Sequence, residues 1–186
     1  MEDHSREEHS PERTTAVAGC AAAQLRQVRE LVAVLTDAQY VHRPRGSSSI
    51  ASHVRHCVDH YAAVLAGRDD GTVAYDRRAR GSALETDRGV ALARLSEVQA
   101  QVRALASGAL GRPVEVADVV DAHGGVALTR STMGRELLFA SQHAVHHVAV
   151  MVPLARTMGV ELPAEFGFAP ATLAHLRGPR CAVPGS

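Results

Sequence analysis

Three histidines within five residues, His143, His146 and His147, sit in the middle of the longest apolar run of the chain, residues 133–158, MGRELLFASQHAVHHVAVMVPLARTM. At 100° per residue, His143 and His147 are about 40° apart on a helical wheel and one turn apart along the axis. They therefore share a face with Ala140, Val150 and Leu154, and one imidazole left without a partner there costs on the order of 1–3 kcal/mol. A shared metal ion removes that cost, because neutral histidine is the commonest protein metal ligand. The alternative is a carbonyl or a water for each ring separately; three such residues on one apolar helix favour the metal.

A second cluster lies in IASHVRHCVDHYAAVLA, where His53, His56 and His60 fall within about 60° of helical arc. Ile50, Cys57, Tyr61 and Val64 flank that arc, whereas Arg55 and Asp59 point away from it. One or two nitrogens from this segment and the i, i+4 pair from the other make three protein ligands with an open coordination position, as in catalytic rather than structural zinc sites. Nitrogen ligands suit zinc, nickel, copper or iron alike, which leaves the identity of the metal open, with zinc or nickel expected first and iron compatible. Cys57, about 100° round from His56, reads as a small buried filler. Glu136 is the acidic residue on the histidine line of its helix, about 10 Å along the axis from His143.

The elements that must position these residues are amphipathic helices. Leu25, Val28, Val32 and Leu35 recur at helical spacing over about Thr15–Leu35. YVHRPRGSSS then reads as a loop ending in the serine cap of a second helix, from Ser49 to about Ala66, stopped by Gly67. Residues 67–85 read as a long surface loop. Its Arg77, Arg78 and Arg80 are suited to hold a carboxylate or phosphate, or to pair with Asp76, Glu85 and Asp87. A third helix is expected over Thr86 to about Ala106, with Val90, Leu92, Leu95, Val98, Val102 and Leu105 as its apolar positions. The β-branched run between Arg112 and Arg130, interrupted by Gly124-Gly125, predicts a short hairpin or lid. The fourth helix is the opening stretch, capped by Ser131 or Thr132 and kinked or stopped at Pro153. The fold class is thus all-α: a four-helix bundle with a long loop after helix 2 and a hairpin or lid before helix 4. One domain is expected over residues 14–177, between a disordered tail at 1–13 and a frayed end at 178–186.

Composition narrows the chemistry. The formal net charge is zero and aromatics are 3%, which gives no field for nucleic acid or anionic membrane and little for base stacking. All twenty basic residues are arginine, so lysine Schiff-base chemistry and phosphate-loop lysines are excluded. Cys20, Cys57 and Cys181 lack CxxC spacing and read as thiols in a reducing cytoplasm. The charged N-terminus has no apolar segment and no signal peptide is expected. Arg135, Gln142, the histidines and Pro153 interrupt the apolar stretch, so no membrane span is expected either. Neither HExxH, nor the paired ExxH of di-iron bundles, nor GxSxG occurs.

SIASHVRH in the second helix followed by HAVHH in the fourth resembles the DinB-like superfamily, and YDRRARGSALETD resembles the YDRRxR-type loop of a subgroup. The resemblance covers most of residues 15–176 and implies a four-helix bundle with a triple-histidine metal site. Carried over residue by residue, it implies His56 as the ligand of the serine-led helix and His143 and His147 as the HxxxH pair. His53, His60, His146 and Glu136 remain as alternative ligands or outer partners. Many members follow the last histidine with Arg-Gly-Gln, whereas this chain has Val148, Ala149 and Val150. The resemblance further implies a metal-dependent transferase that moves a small thiol of the mycothiol or bacillithiol type onto an electrophile. The alternatives are a hydrolase using the same site, and a non-catalytic dimeric helical binding or stress protein. A homodimer is expected on any of them, because helix 4 is apolar nearly all round.

Overall fold

The structure, a computed structural model, describes residues 11–76 and 81–178. Four long helices carry the core: α1 (Pro11–Ala33), α3 (Ile50–Asp70), α4 (Arg88–Arg103) and α5 (Met133–Thr157). α1 packs on α4 and α5, and α3 packs on α5 and α4. Leu25, Val28 and Val32 of α1, Val54, Val58 and Tyr61 of α3, Leu95 and Val98 of α4, and Leu137, Ala144 and Val148 of α5 meet in one buried cluster. Burying each large apolar side chain contributes about 1.5–3 kcal/mol relative to leaving it in water. In α4, Ala91 is buried while Val90 stays 41% exposed, so the apolar stripe runs one residue off the expected line.

The helix starts follow capping chemistry. Ser49 accepts from Ser52 N–H at the start of α3, Asp87 from Val90 N–H at α4, and Thr132 from Arg135 N–H at α5. α1 begins at Pro11, earlier than the apolar periodicity marks, so the last three residues of the expected tail are helical; residues 1–10 and 179–186 lie outside the described residues. α5 runs through Pro153 to Thr157 and is not stopped there. By length and composition α5 is apolar enough to cross a membrane. Here it packs as a core helix between α1 and α3.

The chain is not strictly all-α. Two short helices, α2 (Asp37–Val41) and α6 (Pro170–Leu176), join the four long ones among the described residues, together with a three-stranded sheet. The expected hairpin is β2 (Pro113–Val119) and β3 (Val126–Thr132), antiparallel from Pro113↔Thr132 to Val119↔Val126. β1 (Thr72–Ala74) adds in parallel to β2, inside what reads from sequence as a loop. Gly67 does not end α3. Gly71, at φ 71°, does, and its N–H bonds Gly67 O. Gly67 is instead a close-approach position: a Cβ there would lie 2.5 Å from Val73 Cγ2, so its hydrogen lets β1 fold back against α3. β3 passes directly into α5, which fixes the first turn of the histidine helix against the sheet.

Candidate metal centre

α3 and α5 lie side by side and bring five imidazoles of the two histidine clusters into one group. His143 Nε2 is 2.9 Å from His56 Nε2 and 3.0 Å from His147 Nε2. His147 in turn meets His53, Nδ1 to Nδ1, at 2.9 Å. The ring planes of His56, His143 and His147 are steeply inclined to one another, at 71°, 79° and 70° for the three pairs. His143 Nε2 therefore lies against the nitrogens of two rings that meet its own ring at a steep angle.

The proton arrangement of this cluster follows from counting. Each neutral ring carries one N–H, and His143 Nε2 touches two other nitrogens. If it is bare, His56 and His147 both donate to it through Nε2–H, leaving His147 Nδ1 to accept from His53 Nδ1–H. That assignment satisfies all three contacts without any imidazolium. Burial, followed by the fields of His143, His56, His53 and His146, pushes His147 down to about 3. His53 is also lowered, first by burial and then by His146. Both are neutral at physiological pH, the form in which histidine binds metal.

The donor set fits a metal ion. Nitrogens at ~2.0–2.1 Å from a tetrahedral ion lie roughly 3.3 Å apart, so the two Nε2 contacts of His143 need to open by only a few tenths of an ångström. Among the described residues, the group in which all three potential donor atoms lie within 4.8 Å of one another is His56, His60 and His143. His60 differs from His147 in how it meets its neighbours. Its Nδ1 is 3.0 Å from the His56 carbonyl, which can only accept, so Nδ1 carries the proton and Nε2 the lone pair. Its ring stacks face to face on His143 at 4.2 Å and 21°.

A supporting layer lies on the far side of His60. The Tyr75 ring stacks on it at 5.0 Å and 23°, and the Tyr75 hydroxyl donates to Glu136 Oε2 at 2.7 Å. Ser131 Oγ donates to the other carboxylate oxygen at 2.5 Å. Burial, followed by its bond to Glu136, holds the Tyr75 phenol well above its ordinary range, so it remains a donor. Glu136 is thus a buried anchor for the layer behind the histidines. Phe139, stacked on His143 at 5.9 Å, completes that wall. Neither Tyr75 nor Phe139 stands out in the sequence, because each is a lone aromatic whose role depends on the α3–α5 pairing.

The remaining candidates separate. His146 is exposed at 5.4 Å from the His147 ring. Cys57 is fully buried and burial pushes its thiol up to about 12, so it fills core space. Arg77, Arg78 and Arg80 lie outside the described residues. Of the carboxylates named beside them, Glu85 takes Arg55 at 2.8 Å and Gly81 N–H at 2.8 Å, Asp87 caps α4, and Asp76 accepts Val119 N–H. Arg55, which points away from the histidine arc, is itself buried between Glu85 and Asp59.

Comparison with known proteins agrees with this architecture. The family model of the DinB superfamily matches residues 21–151. A DinB-like protein from Bacillus subtilis superposes with a TM-score of 0.58 over 80% of this chain and 96% of its own, at 19% identity, a likeness of fold. FK506-binding protein 5 of Rhizopus delemar is 33% identical over 104 residues, which is 55% of this chain and 27% of that protein.

Proposed function

The chain belongs to the DinB superfamily, and we propose that it is a metal-dependent transferase joining a small thiol to an electrophile. His56, His143 and His147 hold the divalent ion. The observation that supports this reading is the pair of close contacts of His143 Nε2, 2.9 Å to His56 Nε2 and 3.0 Å to His147 Nε2, with the three ring planes steeply inclined to one another. His60, stacked flat on His143, is the supporting ring rather than the third ligand. Zinc or nickel is the ion we assign, since three neutral imidazoles suit either. When bound, the ion supplies Lewis acidity that lowers the pKa of a coordinated thiol.

The rest of the work falls to the chain. His53, bonded to His147 Nδ1, fixes the ring orientation of that ligand from behind, as outer partners of metal histidines do. Tyr75 and Phe139 wall the other side with aromatic surface. His146, exposed beside His147, is the imidazole we assign to take the thiol proton. The thiol sulfur then bonds to an electrophilic carbon as the bond from that carbon to its leaving group breaks. Transfer to a thiol is favoured over hydrolysis because Glu136, the acidic residue on this face of α5, is buried with both oxygens engaged by Tyr75 and Ser131.

The test is thiol consumption by zinc-loaded protein, with mycothiol, bacillithiol and cysteine against chlorodinitrobenzene, an epoxide and an alkyl halide. Thiol loss above the uncatalysed rate is expected with at least one pair. It should vanish together with bound zinc in His147→Ala, and without loss of zinc in His146→Ala. Metal-loaded protein that consumes no thiol with any pair refutes the transferase reading.

A further inference from the structure

A second cavity, of about 400 Å³, lies between α1, α5 and the start of α6. Leu138, Val145 and Pro170 give it apolar walls, and Cys20, Gln24 and Ser141, with the solvent-exposed Gln142, contribute its polar atoms. Leu138 and Val145 sit about 140–180° round α5 from His143 and His147, so this cavity faces away from the metal centre. Its volume is within the range of small-molecule sites, which in helical bundles form between helices.

The polar atoms are not equivalent. Ser141 Oγ is committed, donating to Leu137 O at 2.7 Å and lying 3.4 Å from the Tyr61 hydroxyl. Burial raises the Cys20 thiol, so it stays protonated at neutral pH and is at most a weak donor. Gln24 is 7% exposed, and its Oε1 is buried with no hydrogen-bond partner. A buried acceptor without a donor is costly, and the great majority of such groups are paired. The terminal amide torsion of glutamine is broad, which allows Oε1 to turn onto a group within the cavity.

We propose that this cavity binds a small, mainly apolar molecule carrying one hydrogen-bond donor, a phenol or an alcohol, whose hydroxyl donates to Gln24 Oε1. An acceptor-only molecule of the same shape gains the apolar contacts and leaves the amide oxygen unpaired. A carboxylate or phosphate meets no cation in the lining.

Fluorine NMR of the full chain with 4-fluorophenol and 4-fluoroanisole tests this, because the two share a ring and differ in the donor. Saturable binding of 4-fluorophenol is expected, roughly tenfold tighter than 4-fluoroanisole, as one net hydrogen bond allows. Gln24→Leu should remove that preference. Ala171→Phe, at an exposed position on α6 at the cavity rim, should weaken both ligands while circular dichroism stays unchanged. In a Cys181→Ser background, 4-fluorophenol should slow iodoacetamide modification of Cys20. Saturating zinc should leave the affinity unchanged. The proposal is overturned if neither ligand saturates, if the two bind equally to the unsubstituted chain, if Ala171→Phe binds both as before, or if zinc displaces the phenol.

Discussion

Replacing Tyr75 with phenylalanine isolates the layer behind the histidines. The ring remains, and with it the stack on His60 at 5.0 Å, while the donor to Glu136 Oε2 at 2.7 Å is removed. Glu136 is 7% exposed, so water cannot fully replace the lost donor, and Ser131 serves only the other oxygen. A hydrogen bond to a charged group contributes about 1.5–3 kcal/mol, and the variant should lose about that much stability. In a chain of this size each kcal/mol moves the thermal midpoint by roughly 2–4 °C, for an expected fall of roughly 3–12 °C. The assay is urea unfolding of metal-free protein at pH 7, followed by circular dichroism, with Glu136→Gln and the double variant to close a cycle. A coupling of roughly 1–3 kcal/mol is expected between the two sites. Zinc affinity should be unchanged in Tyr75→Phe and should fall in Tyr75→Leu, which removes the stack. A stability loss under about 0.5 kcal/mol, or a cycle with no coupling, refutes the anchor described for Glu136.

Three further outcomes follow from the same geometry. In Gly67→Ala the new Cβ meets Val73 Cγ2 at 2.5 Å; an overpacking cost of about 1–3 kcal/mol outweighs the roughly 1 kcal/mol gained in helix propensity, and a urea midpoint equal to or above that of the unsubstituted chain contradicts the close approach of β1. Burial and neighbouring imidazoles lower His53, and lower His147 to about 3 from the ordinary 6.5. Below pH 6.5 the unfolded chain therefore binds more protons than the folded one, so stability of the metal-free protein is fully present above that pH and is lost as pH falls toward 3. Thermal midpoints measured from pH 7.5 to 4.5 should drop, less steeply in His147→Gln, and a flat profile contradicts the buried neutral cluster. By competition with a chromophoric chelator, His147→Ala should weaken zinc binding by more than about 100-fold, and His60→Ala by about tenfold or less, as for an outer partner. The reverse order makes His60 the third ligand.

Much of the site was legible because it depends on local rules. The i, i+4 spacing of His143 and His147 and the narrow arc of His53, His56 and His60 need only helical periodicity, and the caps at Ser49 and Thr132 need only their own side chains. The α2 turn had a readable signal too, since Thr36 and Gln39 form a capping box. What escaped depends on distant partners. Thr72–Ala74 is a strand because it pairs with Glu115–Ala117, a contact that no window around residue 72 contains. Gly67 and Gly71 are both plausible helix ends by composition, and only the return of Val73 against α3 tells which one must lack a side chain. The spacing likewise left open which ring of His53, His56 and His60 joins His143, because the choice turns on ring inclination: His56 meets it edge-on and His60 lies flat upon it.

The central claim is a three-imidazole metal centre between α3 and α5, and X-ray absorption at the zinc edge of protein loaded with one equivalent tests it most directly. The account predicts one zinc per chain with three imidazole nitrogens at ~2.0–2.1 Å and an additional light-atom ligand. It also predicts two imidazoles in the spectrum of any His147→Ala protein that retains zinc. A first shell of oxygens without imidazole scattering, or a chain that takes up no zinc, contradicts it.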